Sequence, residues 1–210
     1  MLSPDGPRRY HRPVWERAAN RWVLAAALAA LAGGCASEPD WRAEVARWQW
    51  QDPLPDLPLV DQDGRALRLH DLRGEPLLVG FVYTRCPDAA ACPLTTTRMA
   101  DVQRAAGERG VALRLLTLTL DPARDDPATL RAFATAHGAE LRTWTFATGE
   151  RELMVDGLPS LFNVLSLPDG ERLDHTVKIT LLDRELRQVA EWKDNAADAA
   201  TILASIEALP

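Results

Sequence analysis

The longest apolar run in this 210-residue chain, Trp22 to Ala32, falls well short of the roughly 20 residues that a membrane-spanning helix needs. Clusters of Lys and Arg are missing, and so are aromatic ladders. Aromatics make up 6% of the chain, and 24 basic residues face 30 acidic ones for a net charge of −6. Nothing in that balance points to nucleic acid as a partner. There is no internal repeat and no low-complexity segment, which excludes a solenoid. Cysteine is scarce: Cys35, Cys86 and Cys92 are all there is. A closed structural zinc site takes four ligands and is disfavoured. An odd number of cysteines is also awkward in an oxidising compartment unless one of them is otherwise engaged. What the chain does have is 47% hydrophobic residues, ample for the core of one domain plus extras.

The N-terminus differs from the remainder. Arg8, Arg9, Arg12, Arg17 and Arg21 face only Asp5 and Glu16, and the apolar run then leads to Gly33-Gly34-Cys35. A basic region, an apolar region and small residues in that order mark an export signal. Ala32-Gly33-Gly34-Cys35 resembles a bacterial lipoprotein signal, in which the cysteine is lipidated and becomes the new N-terminus. The usual leucine three places before the cysteine is here Ala32. Arg8-Arg9 is similar to the start of a twin-arginine signal, but Tyr10-His11-Arg12 does not continue it. The alternative is a short N-terminal anchor helix. Loss of residues 1–34 would take away five basic and two acidic groups, leaving −9 and one cysteine pair.

The expected organisation is a signal at 1–34, a tether and lead-in at 35–56 and a domain at 57–210. Trp41 to Trp50 has the spacing of a short amphipathic helix, whose tryptophans are expected to pack on the domain. Pro53, Pro55 and Pro58 then break regular structure. Leu57–Val60 and Arg65–Leu69 predict a β-hairpin around Gly64. Pro76–Val82 is apolar throughout, as a central strand covered on both faces should be. A helix is expected from Pro93 to about Ala106, ended by Gly107 and Gly110. Val111–Leu120 predicts a strand. Asp126 as cap and Pro127 as first residue open a helix that runs to His137 and stops at Gly138. Leu141–Phe146 predicts a strand and Arg151–Val155 a helical turn. Thr176–Leu182 and Leu186–Trp192 predict a hairpin, and residues 195–209 a helix capped by Asn195. This order is α/β, a thioredoxin-like plan with an N-terminal β-hairpin and a late antiparallel hairpin.

Cys86 and Cys92 fall in the loop between the apolar strand and the following helix. Two thiols so placed can close into a disulfide or ligate a soft metal. Cys92-Pro93 lies at a helix N-terminus and Arg85 is close, so a lowered thiol pKa is expected, which serves metal binding and disulfide exchange alike. A peroxiredoxin on the same fold would place its nucleophile after T-x-x-C. Here Thr84 is two places before Cys86, so that pattern fails by one residue.

Four segments together resemble the Sco/SenC family, copper-binding proteins of thioredoxin fold linked to cytochrome c oxidase assembly. Leu72-Arg73-Gly74-Glu75-Pro76-Leu77-Leu78-Val79 is similar to the strand that enters the family's metal loop. Phe81-Val82-Tyr83-Thr84-Arg85-Cys86-Pro87-Asp88 resembles its F-x-Y-T-x-C-P-D signature. Asp121-Pro122-Ala123-Arg124-Asp125-Asp126-Pro127 resembles D-P-x-R-D-T-P, with Asp126 in place of the threonine. Asp174-His175-Thr176, followed by an apolar strand and Asp183, resembles D-H-[ST]. The resemblance implies a copper ion held by Cys86, Cys92 and His175. Two thiolates and an imidazole form a soft, low-coordinate site that suits Cu(I). It further implies delivery of copper to an oxidase subunit or another copper protein, or maturation of the oxidase copper site; the N-terminal signal adds the expectation of the periplasmic face of a bacterial membrane, with Cys35 as the lipid anchor. The departure from the family pattern is the spacer: C-x-x-x-C-P becomes five residues, Pro87 to Ala91. The alternative function is a thiol-disulfide oxidoreductase that reduces partner cysteines through Cys86 and Cys92. Asp121 is either a group near the loop or a plain turn residue. His70, His137, Met99 and Met154 carry no such context and are expected to be structural.

Overall fold

The computed structural model describes residues 40–88, 91–169 and 172–210. Cys35 and the basic and apolar runs before it lie outside them, as do Ala89 and Ala90. The described residues form one compact unit.

Helix α1 (Trp41–Arg47) starts at Asp40, whose side chain accepts from the Arg42 N–H at 3.1 Å. The helix stops at Arg47, short of the expected Trp50; Trp41 and Trp48 pack on the domain as expected, whereas Trp50 is exposed. Trp41 donates to Glu150 Oε2 at 2.9 Å and lies so close to Gly157 that a Cβ there would come within 2.8 Å of the indole. Leu54 and Leu57 follow, both buried in the core. Strands β1 (Pro58–Asp61) and β2 (Ala66–Arg68) then form the first hairpin. Gly64 takes the left-handed conformation that its turn requires, with φ +75°.

Strand β3 (Leu77–Val82) is followed by α2 (Cys92–Arg109), β4 (Arg114–Thr119), α3 (Pro127–Ala136) and β5 (Trp144–Thr148). A π-helical turn at Leu153–Gly157 runs into α4 (Leu158–Leu161). Next come the two-stranded ribbon β6 (Ser166–Asp169) and β7 (Arg172–His175), the hairpin β8 (Lys178–Leu182) and β9 (Gln188–Lys193), and α5 (Ala199–Glu207). The main sheet has the order β2-β1-β5-β4-β3-β8-β9. Strands β3, β4 and β5 are parallel, and β8 runs antiparallel to β3.

Strand alternation explains the two layers. Leu77, Val79 and Phe81 face a core closed by Leu54, Met154, Leu158 and Phe162. Leu78, with Leu115, Trp144 and Leu181, faces the other side, where Met99, Val102, Leu130 and Ile202 of α2, α3 and α5 cover it. Gly80 lets α2 come close, since a Cβ there would stand 2.6 Å from Met99 Sδ.

Several local expectations need correction. Helix α2 runs through Gly107 and ends at Gly110, which alone adopts φ +67°. The cap of α5 is Asp198, whose side chain accepts from Thr201 N at 2.8 Å, while Asn195 sits at φ +53° before the helix begins. Strand β5 starts at Trp144, because Leu141–Thr143 forms a turn. The ribbon β6–β7 was not expected at all, and His175 ends its second strand and does not open the next one.

Candidate metal centre

The parallel strands deliver the loop. Strand β3 ends at Val82, and the following rung is the Leu120 N–H to the Val82 carbonyl at 2.8 Å. The chain then turns, with Cys86 N–H donating to the Tyr83 carbonyl at 3.1 Å. Within the long spacer, Ala91 N–H donates to the Asp88 carbonyl at 3.1 Å. Cys92 is the first residue of α2, with Pro93 behind it where a missing N–H costs nothing. The ribbon supplies His175 from the other end of the sequence.

Three of the expected side chains come together. Cys92 Sγ lies 3.1 Å from His175 Nε2. Cys86 packs against the apolar cluster that holds Cys92, and its Sγ donates to the Asp88 carbonyl at 3.6 Å. Both cysteines are free thiols. Cys92 is buried and Cys86 half-buried. Val82, Tyr83 and Leu173 form a small apolar cluster with them. The Tyr83 ring meets the His175 ring edge-on at 5.8 Å, and its hydroxyl accepts from Leu173 N at 3.4 Å. Among the described residues, no three His, Cys, Asp or Glu side chains already stand in a finished metal-holding arrangement. The donor chemistry nevertheless fits a soft ion: two sulfurs and one imidazole nitrogen in an apolar pocket.

Electrostatics sharpen this. Burial lowers the His175 pKa, which keeps the imidazole neutral. Its Nδ1 lies 3.1 Å from the Thr176 carbonyl. An N–H there donates to that carbonyl and leaves the Nε2 lone pair facing Cys92, the usual way a metal-binding histidine is oriented. The expected low pKa is not found at Cys92. Burial pushes this thiol well above its usual range, backbone hydrogen bonding from Tyr83 opposes the rise, and Cys86 adds to it. The helix N-terminus does not overcome the loss of water. As a thiol, Cys92 can donate to His175 Nε2. Burial, then a hydrogen bond with Cys86, pushes the Tyr83 phenol up to about 12.

Asp121 is a turn residue. Its carbonyl accepts from the Arg124 and Asp125 N–H groups, and its carboxylate pairs with Arg124 at 2.9 Å. The carboxylate that does reach the loop is Asp125, fully buried and bonded to Thr84. Sequence reasoning missed it. The available signal was the same acidic segment, Asp121 to Asp126. His70 contacts the Leu54 carbonyl at 2.8 Å, and His137 contacts the Phe133 carbonyl at 2.9 Å. Met99 and Met154 are core residues. None of these four belongs to the site.

A thioredoxin-like domain with two thiols on the β3–α2 loop and an imidazole on an added ribbon defines a class of thiol-and-imidazole proteins. The SCO1/SenC family model matches residues 52–209, and the chain belongs to that family. It is 31% identical over 129 residues to the SCO1 protein homolog of Bacillus subtilis, covering 59% of this chain and 66% of that one. It therefore spans slightly less than two thirds of that relative. The SCO1/SenC family lipoprotein of Bacillus anthracis shares the fold, with a TM-score of 0.69 at 22% identity over 77% of this chain and 96% of the other. Copper-bound ScoI of Bradyrhizobium japonicum aligns with a TM-score of 0.61 at 27% identity, over 73% of this chain and 96% of the other.

Proposed function

We propose that this protein carries copper through Cys86, Cys92 and His175 and delivers it to a copper site of a respiratory oxidase, or prepares that site. The observation that carries the proposal is the 3.1 Å approach of Cys92 Sγ to a correctly oriented His175 Nε2, with Cys86 packed against the same apolar cluster. Family membership and the copper-bound relative support the choice of ion. Copper is cargo here. The chain's part is to offer two sulfurs and a neutral nitrogen, to keep water away with Val82, Tyr83 and Leu173, and to release protons as the thiols bind. The test is copper titration of the reduced protein. One Cu(I) per chain is expected, nearly abolished by Cys86→Ser or Cys92→Ser. Undiminished binding in both variants would end the proposal.

A second function, thiol-disulfide exchange with partner cysteines, is favoured by the two free thiols sharing one loop. The raised pKa of Cys92 speaks against Cys92 as the attacking thiol, which leaves the less buried Cys86 for that role. In either case we place the protein outside the cytoplasm, tethered through a lipid on Cys35. The N-terminal sequence supports this, as does the lipoprotein relative.

A further inference from the structure

Asp125 is fully buried and receives three donors. Its Oδ1 accepts from Thr84 Oγ1 at 2.6 Å. Its Oδ2 accepts from Thr84 N at 3.1 Å and from Thr119 Oγ1 at 2.6 Å. Two of these contacts fall on a single residue of the cysteine loop, two places before Cys86. The third falls on the last residue of β4, inside the sheet. A buried carboxylate is costly, and an apolar group of similar volume is often no worse for stability. What a carboxylate adds is direction: both oxygens of one planar group are engaged, Oδ1 gripping the loop and Oδ2 joining the loop to the scaffold. Thr84 is also where the chain leaves β3 and enters the turn closed by Cys86 N–H on the Tyr83 carbonyl. Fixing Thr84 therefore fixes the turn that aims Cys86.

We propose that Asp125 is a positioning residue that clamps Thr84 to β4 and so sets where the Cys86 sulfur stands relative to Cys92 and His175. This rests on those three side chains forming one site. It does not require that the site be used for copper.

The experiment uses the purified full chain in detergent and the variants Thr84→Val, Asp125→Ala and Asp125→Asn. Three quantities are measured. One is the equilibrium of the Cys86–Cys92 pair with glutathione, in which the two protein thiols become a disulfide as one glutathione disulfide becomes two glutathione thiols. The others are Cu(I) affinity by competition with a chromophoric chelator, and the urea midpoint. Thr84→Val removes one hydroxyl and keeps the shape. It should shift the glutathione equilibrium toward the dithiol and weaken Cu(I) binding, each by roughly tenfold, the scale of one lost hydrogen bond to a charged group. Asp125→Ala should do more. Asp125→Asn should restore near-native values, because its amide can donate to a Thr84 hydroxyl that turns to accept, while its oxygen keeps the other two donors. A lower urea midpoint with an unchanged glutathione equilibrium in Thr84→Val would make Asp125 a core residue only and overturn the proposal. Asp125→Asn behaving like Asp125→Ala would overturn it as well, since charge and not direction would then matter. Should Asp125→Ala not fold, Thr84→Val still decides. If the native chain binds no Cu(I), the copper function fails and the glutathione equilibrium still tests Asp125. If it forms neither a disulfide nor a copper complex, there is no site to position and the proposal falls.

Discussion

Cys86 and Cys92 are unequal thiols. Cys92 is buried against the His175 imidazole, and its pKa is pushed up, whereas Cys86 is half-buried. Iodoacetamide at neutral pH should therefore modify Cys86 first, and Cys92 only after urea unfolding, as peptide mass mapping would show. Equal labelling rates in the folded protein would contradict the burial. His175→Ala should weaken Cu(I) binding and leave the circular dichroism spectrum unchanged, because no core cluster includes this side chain. Unaltered affinity in that variant would remove His175 from the site. That Cys86, Cys92 and His175 belong together was readable in the sequence through their neighbours, and the fold brings them into one cluster. Asp125 was not, since Thr84 lies 41 residues away and adjacent carboxylates look alike until a fold buries one.

The sequence puts two more residues between the cysteines than C-x-x-x-C-P has, and the Ala91 N–H donates to the Asp88 carbonyl, so the residues flanking Ala89 and Ala90 are already in contact. Deleting Ala89 and Ala90 should therefore preserve Cu(I) stoichiometry, measured by the same titration. Loss of copper binding with retained fold would mean the long spacer is required. Helix α3 offers a sharper test of sequence reasoning, since its cap was legible. Asp126 accepts from Thr129 N at 2.7 Å, and Pro127 follows it. Asp126→Ala should lower stability by about 1 kcal/mol in urea unfolding. The ribbon β6–β7 was illegible for physical reasons. Its Leu167, and Leu165 just before it, are 63% and 66% exposed. Period-two patterning reports burial, so a ribbon lying off the main sheet leaves little of it. Gly107 misled in the opposite sense, because a helix tolerates glycine and the left-handed stop came three residues later, at Gly110.

Over the whole molecule, pH acts through buried charge. Lys178, whose side chain is 1% exposed, bonds Glu191 at 2.6 Å, and this contact lowers the Glu191 pKa below its ordinary 4.5. A lowered carboxylate stabilises above its unfolded pKa, and that stabilisation is lost as pH falls through the folded value. Asp125 has the opposite sign. Burial raises its pKa above 3.8, so its contribution declines as pH rises through the folded value. The urea midpoint should drop on acidification below about 4.5, the range in which Glu191 gives up its charge. Glu191→Gln should flatten part of that drop and cost about 1 kcal/mol at neutral pH, discounted because Glu191 is partly solvated. Equal acid sensitivity in the variant would exclude this pair as the cause. The tether has its own test at this scale. Cys35→Ser should release or misprocess the protein, and membrane retention of the variant would refute the lipid anchor.

The ribbon that carries His175 has one further consequence. Cys92 and His175 are 83 residues apart in sequence, and between them lie β4, α3, β5 and the whole of α4. An ion gripping both would act as a removable crosslink over that span, restricting the unfolded chain much as a covalent bridge does. Loading would then register as mechanical stiffening. Amide exchange in β6–β7 should slow, and the melting temperature should climb with copper concentration and fall back once a chelator strips the ion. A recipient that pries the ribbon loose would thereby cut the crosslink and take the ion in one motion.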